Sequence, residues 1–417
     1  MKRALLLFDD RVAREWHPFS LTRPIGELLF GASLLREKLE RVSGLRASGY
    51  LATPGLEGFE EMGAPSVLSL DRLPQAAMRL VLSSRYVPTV EDGRRGSPLL
   101  SSSGDLPQGG IRLAAESGAT IGWILSGTDS LPSVHTHPDS DGRPVVRLRG
   151  RLLENPWQLL SENARQLSDE LGDTRSGRGD PVGDVLRKAE GVHVLGDHPI
   201  TVESGVRIDP LVVLDARSGP IHLSNDVWLQ PLTHLLGPAY VGPGSTLIGG
   251  VFEALSCGPV SKLNGEVRDS IVLGYSNKAH HGYLGHSMLG RWVNLGALTT
   301  NSDLKNNYGP IRVGQKDHTL DTGLMKLGVF LGDHVKTGIG TLLGAGTVVG
   351  AGTNLVGDGL STKWIPPFSW GSGAAYQPYH LEAFLESAER AMSRRQVMLT
   401  AGQRSFLGAA WRRSHPS

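Results

Sequence analysis

The chain is poor in cysteine: Cys257 is the only one in 417 residues. An intramolecular disulfide is thereby excluded, and a cysteine-based zinc site has no ligands. Such economy suits a reducing cytosol, so a cytoplasmic protein is expected and packing is the expected role of Cys257. An excess of charge of one sign is missing too. The 42 Lys and Arg stand against 41 Asp and Glu for a net charge of +1, which excludes the lopsided field of a dedicated nucleic-acid binder but not a small anionic substrate. Long apolar runs are also absent. The opening MKRALLLFDD stops its apolar stretch at Asp9, short of a signal sequence. No stretch elsewhere nears the ~20 residues of a spanning helix, so no membrane partner is expected.

Glycine is what the chain has in excess, with 54 residues concentrated downstream of about residue 190. A repeat accounts for it. In VFLGDHVKTGIGTLLGAGTVVGAGTNLVGDG, aliphatic or small residues recur every six positions at Leu331, Thr337, Leu343, Val349 and Leu355. Gly332, Gly338, Gly344 and Gly350 follow four of them directly. A companion series, Val335, Thr341, Thr347 and Thr353, keeps the same period. The phase returns upstream at Leu223, Leu229, Leu235, Val241 and Leu247, with Val227, Thr233, Ala239 and Ser245 as companions. Shorter runs are Ile200, Val206, Val212 and the pair Leu289, Leu295. Six residues suit a short strand plus a tight turn, and three such faces close a triangular coil of about eighteen residues. The prediction is a parallel β-helix whose aliphatic positions stack inside the prism. Its hand is the left-handed one of the hexapeptide-repeat families.

At this length two or three domains are expected. Residues 1–150 read as a small α/β domain with strands at ALLLF, SVLSL and LVLSS and a helix near Glu27 to Val42. The stretch 151–190 reads as a helix (154 to 171) and a linker, TRSGRGDPVGD. The β-helix covers 191–375. Residues 376–417 form an amphipathic helix and tail, with Leu381, Phe384, Leu385, Ala388 and Met392 at helical spacing. The stretch from about 251 to 283 keeps the period poorly and reads as an irregular polar insertion.

The segment SNKAHHGYLGHSMLGRWVNLGALTTNSDLKNNYG, residues 276 to 309, resembles the acetyltransferase half of bifunctional N-acetylglucosamine-1-phosphate uridylyltransferase/glucosamine-1-phosphate acetyltransferases. Lys278 to Gly285 matches that family's K-A-G-H-x-x-Y-L-G segment, and Val293 to Thr299 matches its V-N-x-G-A-G-T segment. The nearer likeness is to a branch with a short, divergent N-terminal domain, and it runs from the opening LFDD and LTRPIGELLFG to Trp364–Gly371. The resemblance implies a homotrimer, acetyl-CoA as cosubstrate and an amino-sugar phosphate as acceptor. It places His280 on the family's catalytic histidine, with His281 as the immediate competitor. An ammonium cannot attack a thioester, so a base working near neutral pH is needed, and histidine suits. On a strand the two rings would point to opposite faces. Tyr283 and Asn294 would contact the sugar, and Arg268, Lys278 and Lys305 would hold its phosphate. Coenzyme A would lie near Gly338, Gly340, Thr341 and Gly357, with Lys336 and Lys363 reaching its phosphates. The family's G-P-x-A-R-L-R-P-G segment stands here as GPAYVGPG, so another basic residue must replace the lost arginines.

The N-terminal domain resembles the family's nucleotidyltransferase only in outline. Its loop, LLFDDRVAREWHPFSLTRPIGELLFG, has no glycine where a triphosphate would be cradled, yet Arg11, Arg14 and Arg23 are expected to bind nucleotide. Asp9 and Asp10 are the available carboxylates for Mg2+, needed if this domain transfers UMP or dTMP to a sugar-1-phosphate. Three rival readings stay open: an acyltransferase whose N-terminal domain is non-catalytic, a non-catalytic β-helix scaffold, and a zinc hydratase of the γ-carbonic anhydrase kind using His280, His281, His286 and His334. No metal ligand set is otherwise expected.

Overall fold

The structure, a computed structural model, describes residues 2–51, 54–95, 106–132, 142–172, 180–181, 186, 189–357, 359–372 and 375–415. Most of the predicted linker TRSGRGDPVGD lies outside them.

The N-terminal sheet has six strands in the order Ala47–Leu51, Arg3–Phe8, Met78–Ser83, Thr120–Ser126, Ile111–Ala115 and Val145–Leu148. Arg3–Phe8 pairs in parallel with both neighbours. Its side chains alternate between two clusters, Leu5 and Leu7 with Leu39 and Val42, Leu6 and Phe8 with Trp123. A strand covered on both sides reads as a continuous apolar run, which is why ALLLF was legible. The expected helix begins later, at Leu35–Ser43. Before it, Leu29–Phe30 and Ser33–Leu34 form a minimal hairpin. Gly31 closes that turn at φ 64°, a conformation glycine adopts at little cost. LVLSS lies in Met78–Ser83 as expected, but SVLSL contributes only one bridge, Tyr50 to Val67. The helix expected from 154 to 171 breaks at Glu162 into Trp157–Ser161 and Asn163–Leu171.

From Ile200 onward the chain is a three-sided parallel β-helix. The first face stacks Ile200–Val202, Ile221–Leu223, Ala239–Val241, Ser256–Cys257, Ile271–Val272, Met288–Leu289, Phe330–Leu331, Val348–Val349 and Trp364–Ile365, all parallel. The second face runs through Trp228–Leu229, the starts of Thr246–Glu253 and Lys262–Arg268, Asn277–Lys278, Asn294, Lys336–Thr337, Asn354–Leu355 and Trp370. The third runs through Thr233–Leu236, the ends of the same two long strands, Tyr283–Gly285, Thr300–Asn301, Leu342–Leu343 and Leu360. Every member of the six-residue aliphatic series is buried in the single core that fills the prism, Thr337 included.

The stretch 251–283 is not an insertion. It stays within the coils, which shorten there: Ser256 stacks on Ile271, fifteen residues on, whereas Phe330 stacks on Val348, eighteen on. Corners lose residues while the strands keep their pairing, so the period slips without leaving the fold. The true excursion comes later, between Asn301 and Phe330, and carries the hairpin Arg312–Gly314 with Thr319–Asp321.

The two halves are packed together through the first face. Successive strand residues point to opposite sides, so Val272, Leu289, Leu331 and Val349 fill the prism while Ile271, Met288, Phe330 and Val348 point outward. Those outward residues meet Trp16, Phe19, Ile25, Leu28 and Phe30 of the loop that follows the first strand. The C-terminal helix Leu381–Ser393 buries Phe384, Leu385, Ala388 and Met392 against Phe368, the second helix Ala401–Ser414 and Leu56 and Phe59 of the N-terminal half. Sequence periodicity did not show that second helix, whose N-terminus is closed by a Thr400–Gln403 capping box.

Candidate active site

One edge of the prism, where the second face turns into the third, collects most of the predicted site. His280 and His281 occupy it between Asn277–Lys278 and Tyr283–Gly285. They are therefore on a corner and not on a strand, and both are exposed. The opposition expected of alternate strand positions does not apply. Among the described residues neither ring has a hydrogen-bond partner. The next coils stack directly on this corner: Leu298 N–H donates to His281 O at 2.9 Å, and Gly340 N–H donates to Ala297 O at 2.8 Å. Gly338, Gly340 and Thr341 thus lie on the same edge as His280, one coil beyond Leu298.

The amides of Gly338 and Gly340 are not open to a ligand, since Gly338 N–H donates to Leu355 O at 2.7 Å and Gly340 N–H is spent on Ala297. What Gly340 leaves free is space: at φ 73° a Cβ there would meet no atom within 4 Å. Thr341 turns its hydroxyl onto Gly338 O at 2.9 Å. At Gly357 a Cβ would press on Ser372 Oγ at 2.5 Å, a packing reason for that glycine. Lys363 gives its ammonium to Ala345 O.

Lys278 is the largest departure among the sugar residues. Only 2% exposed, it sends Nζ to the carbonyls of Asn264 (2.7 Å), Gly282 (2.7 Å) and His280 (3.2 Å). Burial lowers it to about 8. It braces the corner that carries the histidines and is not presented to a phosphate. Arg268 is neutralised by Glu253 and by Glu266 at 2.6 Å. Lys305 sits in the excursion with its ammonium on Pro310 O.

Tyr283 and Asn294 fall on different faces. Tyr283 O–H donates to Asp303 Oδ2 at 2.7 Å, and the same oxygen lies 2.7 Å from His286 Nδ1. Burial raises the Asp303 carboxyl, but the bonds from His286 and Tyr283 outweigh it and hold it low. Burial also raises Tyr283, whose hydroxyl stays protonated beside Asp303. The far ring nitrogen of His286 stands 3.5 Å from Asp269. This Tyr283–Asp303–His286–Asp269 network was missed from sequence. Its bonded partners sit seventeen to twenty positions apart, and only the stacking of coils joins them. Asn294, on the second face, accepts from Asn277 at 3.0 Å and lines a cavity beneath the C-terminal helix.

The N-terminal residues are used structurally. Arg23, 2% exposed, pairs with Asp333 at 2.9 Å and Glu61 at 3.1 Å. It bolts the N-terminal loop to the β-helix instead of meeting a nucleotide. Arg14 returns to Asp10 O at 3.2 Å, and Arg11 is exposed on the short helix Arg11–Arg14. Asp10 is fully buried, caps that helix and pairs with Arg85 at 2.6 Å. Asp9 accepts from Ile25 N–H at 2.9 Å, and burial pushes it up to about 7. The histidines of the hydratase reading are scattered: His334 is buried between Trp292 and Phe384, and His286 faces Asp303. Among the described residues no group of three or more His, Cys, Asp or Glu could hold a metal ion. No helix among them is long and apolar enough to cross a membrane.

The fold is a hexapeptide-type β-helix joined to an α/β sheet, with two exposed imidazoles on its second-to-third edge. Comparison with known proteins bears out the resemblance. Residues 5–178 match the sugar nucleotidyl transferase family. A bifunctional sugar-1-phosphate nucleotidylyltransferase/acetyltransferase of Sulfurisphaera tokodaii is 36% identical over 74 residues, 18% of each chain. The bifunctional protein GlmU of Methanocaldococcus jannaschii is 34% identical over 104 residues, 25% of this chain and 23% of that one. Its namesake from Methanococcus aeolicus is 25% identical over 184 residues, 44% and 38% of the two chains. The matched region therefore spans well under half the length of each relative. Among solved structures, an Arabidopsis UDP-N-acetylglucosamine acyltransferase aligns at TM-score 0.24 and 12% identity, over 50% of this chain and 78% of that one.

Proposed function

We propose that this protein is an acetyl-CoA-dependent N-acetyltransferase acting on glucosamine-1-phosphate or a related amino sugar in amino-sugar nucleotide synthesis. The observation that carries the reading is the shared edge, with an unencumbered imidazole at His280, open space over Gly340 and Asn294 around the corner. In the reaction His280 takes a proton from the sugar ammonium. The freed amine attacks the thioester carbonyl carbon, the C–N bond forms, and the C–S bond breaks as the tetrahedral intermediate collapses. The departing coenzyme A thiolate takes up a proton, which the imidazolium can supply. Lys278 positions His280 by holding its carbonyl, and Tyr283 presents a phenol oriented by Asp303.

A homotrimer fits this reading. Leu211, Leu232, Leu298 and Ile339 all stand on the same edge and are 59 to 80% exposed. A row of apolar residues of that extent favours burial against a second copy. The proposed site would then lie in a cleft shared between chains in the cytoplasm.

A second activity, transfer of UMP or dTMP from the triphosphate to a sugar-1-phosphate, is favoured by the family match at residues 5–178. The loop expected to cradle the triphosphate is packed on the β-helix, with Asp10 committed to Arg85 and Asp9 to Ile25 N–H. Those residues do not fit a Mg2+ site, so no step is routed through one. Thiol release from acetyl-CoA with glucosamine-1-phosphate tests the first activity. Pyrophosphate release from UTP or dTTP with a panel of sugar-1-phosphates tests the second.

A further inference from the structure

His286 and Asp303 lie outside both segments that carry the family resemblance, yet the fold spends several contacts on bringing them together. His286 turns the third-to-first corner at φ 46°, stacked on Asp269, which turns the same corner of the preceding coil at the same angle. Its N–H donates to Arg268 O at 3.0 Å and its carbonyl accepts from Gly328 N–H at 2.8 Å, so the residue is fixed from the coils on either side. Asn301 clamps the preceding Gly285, accepting from its N–H and donating to its carbonyl, both at 3.0 Å. Gly285 has to lack a side chain. A Cβ there would stand 2.1 Å from the Tyr283 hydroxyl oxygen and 2.6 Å from Asp303 Oδ2, in the space where those two atoms bond. The glycine, the corner and the stacked coils thus serve one arrangement, in which Asp303 Oδ2 receives both Tyr283 and His286.

The direction of each hydrogen bond follows from charge. Although burial raises the Asp303 carboxyl, the bonds from His286 and Tyr283 hold it below its ordinary value, so it is an ionised carboxylate that only accepts. His286 Nδ1 must then carry the ring proton, and the Tyr283 hydroxyl must give its single proton to the same oxygen. Outward, the phenol offers lone pairs alone. A phosphate, which also only accepts, finds no donor there, whereas an ammonium, with three donors and no acceptor, finds its complement. The surrounding charge agrees, since Glu253, Glu266, Asp269 and Asp303 outnumber Arg268 and Lys326 on this side of the prism. Tyr283 follows His280 by three residues, within about 11 Å along the chain, so one amino group between them can meet both. We propose that His286 is a positioning residue for acetyl transfer: by donating to Asp303 it holds Tyr283 as an obligate acceptor, which fixes the sugar's ammonium beside His280 and turns its phosphate away from Tyr283. The inference rests on the acetyl-transfer reading for the identity of the sugar.

Calorimetric titration of the full chain with glucosamine-1-phosphate, beside the KM values for thiol release, tests it in His286→Ala, His286→Asn, Tyr283→Phe and the double variant His286→Ala/Tyr283→Phe. His286→Ala should weaken glucosamine-1-phosphate about tenfold and leave the KM for acetyl-CoA unchanged. His286→Asn, whose amide N–H takes the place of the ring Nδ1–H, should recover most of that loss. The double variant should bind no more weakly than Tyr283→Phe alone, because His286 acts through the phenol, whereas a merely structural role would add its loss to that of Tyr283→Phe. Glucose-1-phosphate, whose hydroxyl can donate or accept, should bind wild type more weakly and be nearly indifferent to His286→Ala. Should His286→Ala not fold, nitrogen-15 NMR of wild type still decides, with the His286 proton expected on Nδ1. Wild-type affinity in His286→Ala, additive losses in the double variant, an unprotonated Nδ1, or no binding of glucosamine-1-phosphate by wild type would each overturn the proposal. The two readings fail separately. If wild type releases no thiol but binds glucosamine-1-phosphate in a His286-dependent way, acetyl transfer falls and the positioning stands. If it turns over and the losses add, the positioning falls alone.

Discussion

The loop after the first strand and the second-to-third edge of the β-helix both carry polar residues that a sequence reader would assign to chemistry, yet they use them differently. In the loop, Arg23 and Asp10 are buried and each is matched to an opposite charge, Asp333 or Arg85. On the edge, His280 and His281 are exposed. Removing a charge from water costs several kcal/mol unless a partner compensates, so a buried, paired residue is committed to holding the fold. A side chain left in solvent on a well-braced corner is available to a substrate. Arg23 and Asp10 are committed to buried pairs, whereas His280 and His281 are left in solvent.

Four substitutions sharpen that contrast, from the largest expected effect to the smallest. Arg23→Met should destabilise the protein by about 3–5 kcal/mol, because the buried Asp333 loses its charged partner while Glu61 keeps only Arg291. Urea unfolding would measure it, and unchanged stability would return Arg23 to the list of ligand-binding residues. Asp9→Asn should act in the opposite direction and only at high pH. The carboxyl titrates near 7 when folded and near 3.9 when unfolded. A raised acid contributes stability below the unfolded value that is lost as pH climbs through the folded one. Asparagine keeps an oxygen for Ile25 N–H, so the variant should be more stable by about 4 kcal/mol at pH 8 and no more stable at pH 4. A melting temperature shifted equally at both pH values would contradict this.

Asp303→Asn loosens Tyr283 and His286 together, since both bond the same oxygen. The expected loss is about 1–2 kcal/mol, seen as a KM for the sugar raised roughly tenfold. A wild-type KM would remove Tyr283 from the sugar site. Arg268→Ala should matter least. Its guanidinium is partly exposed and already shared by two carboxylates, so under about 1 kcal/mol of stability and little change in KM are expected. A large KM effect would restore Arg268 as a phosphate ligand.

The β-helix was legible because its core depends on one repeated spacing, and each aliphatic member from Ile200 to Leu355 is buried as that spacing requires. Local exceptions misled: between 251 and 283 shortened corners broke the period while leaving every strand paired. The motif drew His280 and Asn294 into the expected site, but the surroundings of such residues were not legible. Lys278 reads as a phosphate ligand until the carbonyls around its ammonium are seen, and the Asp303–His286 pair exists only because coils stack seventeen residues apart. The cavity beneath the C-terminal helix joins Lys262 to Arg395, a relation that no periodicity encodes.

The most direct measurement is thiol release by the full chain from acetyl-CoA and glucosamine-1-phosphate or a related amino sugar, compared among wild type, His280→Ala and His281→Ala. The account predicts turnover in wild type, a fall of about 10²- to 10⁴-fold in His280→Ala and near-normal rates in His281→Ala. Undiminished thiol release from His280→Ala would contradict it.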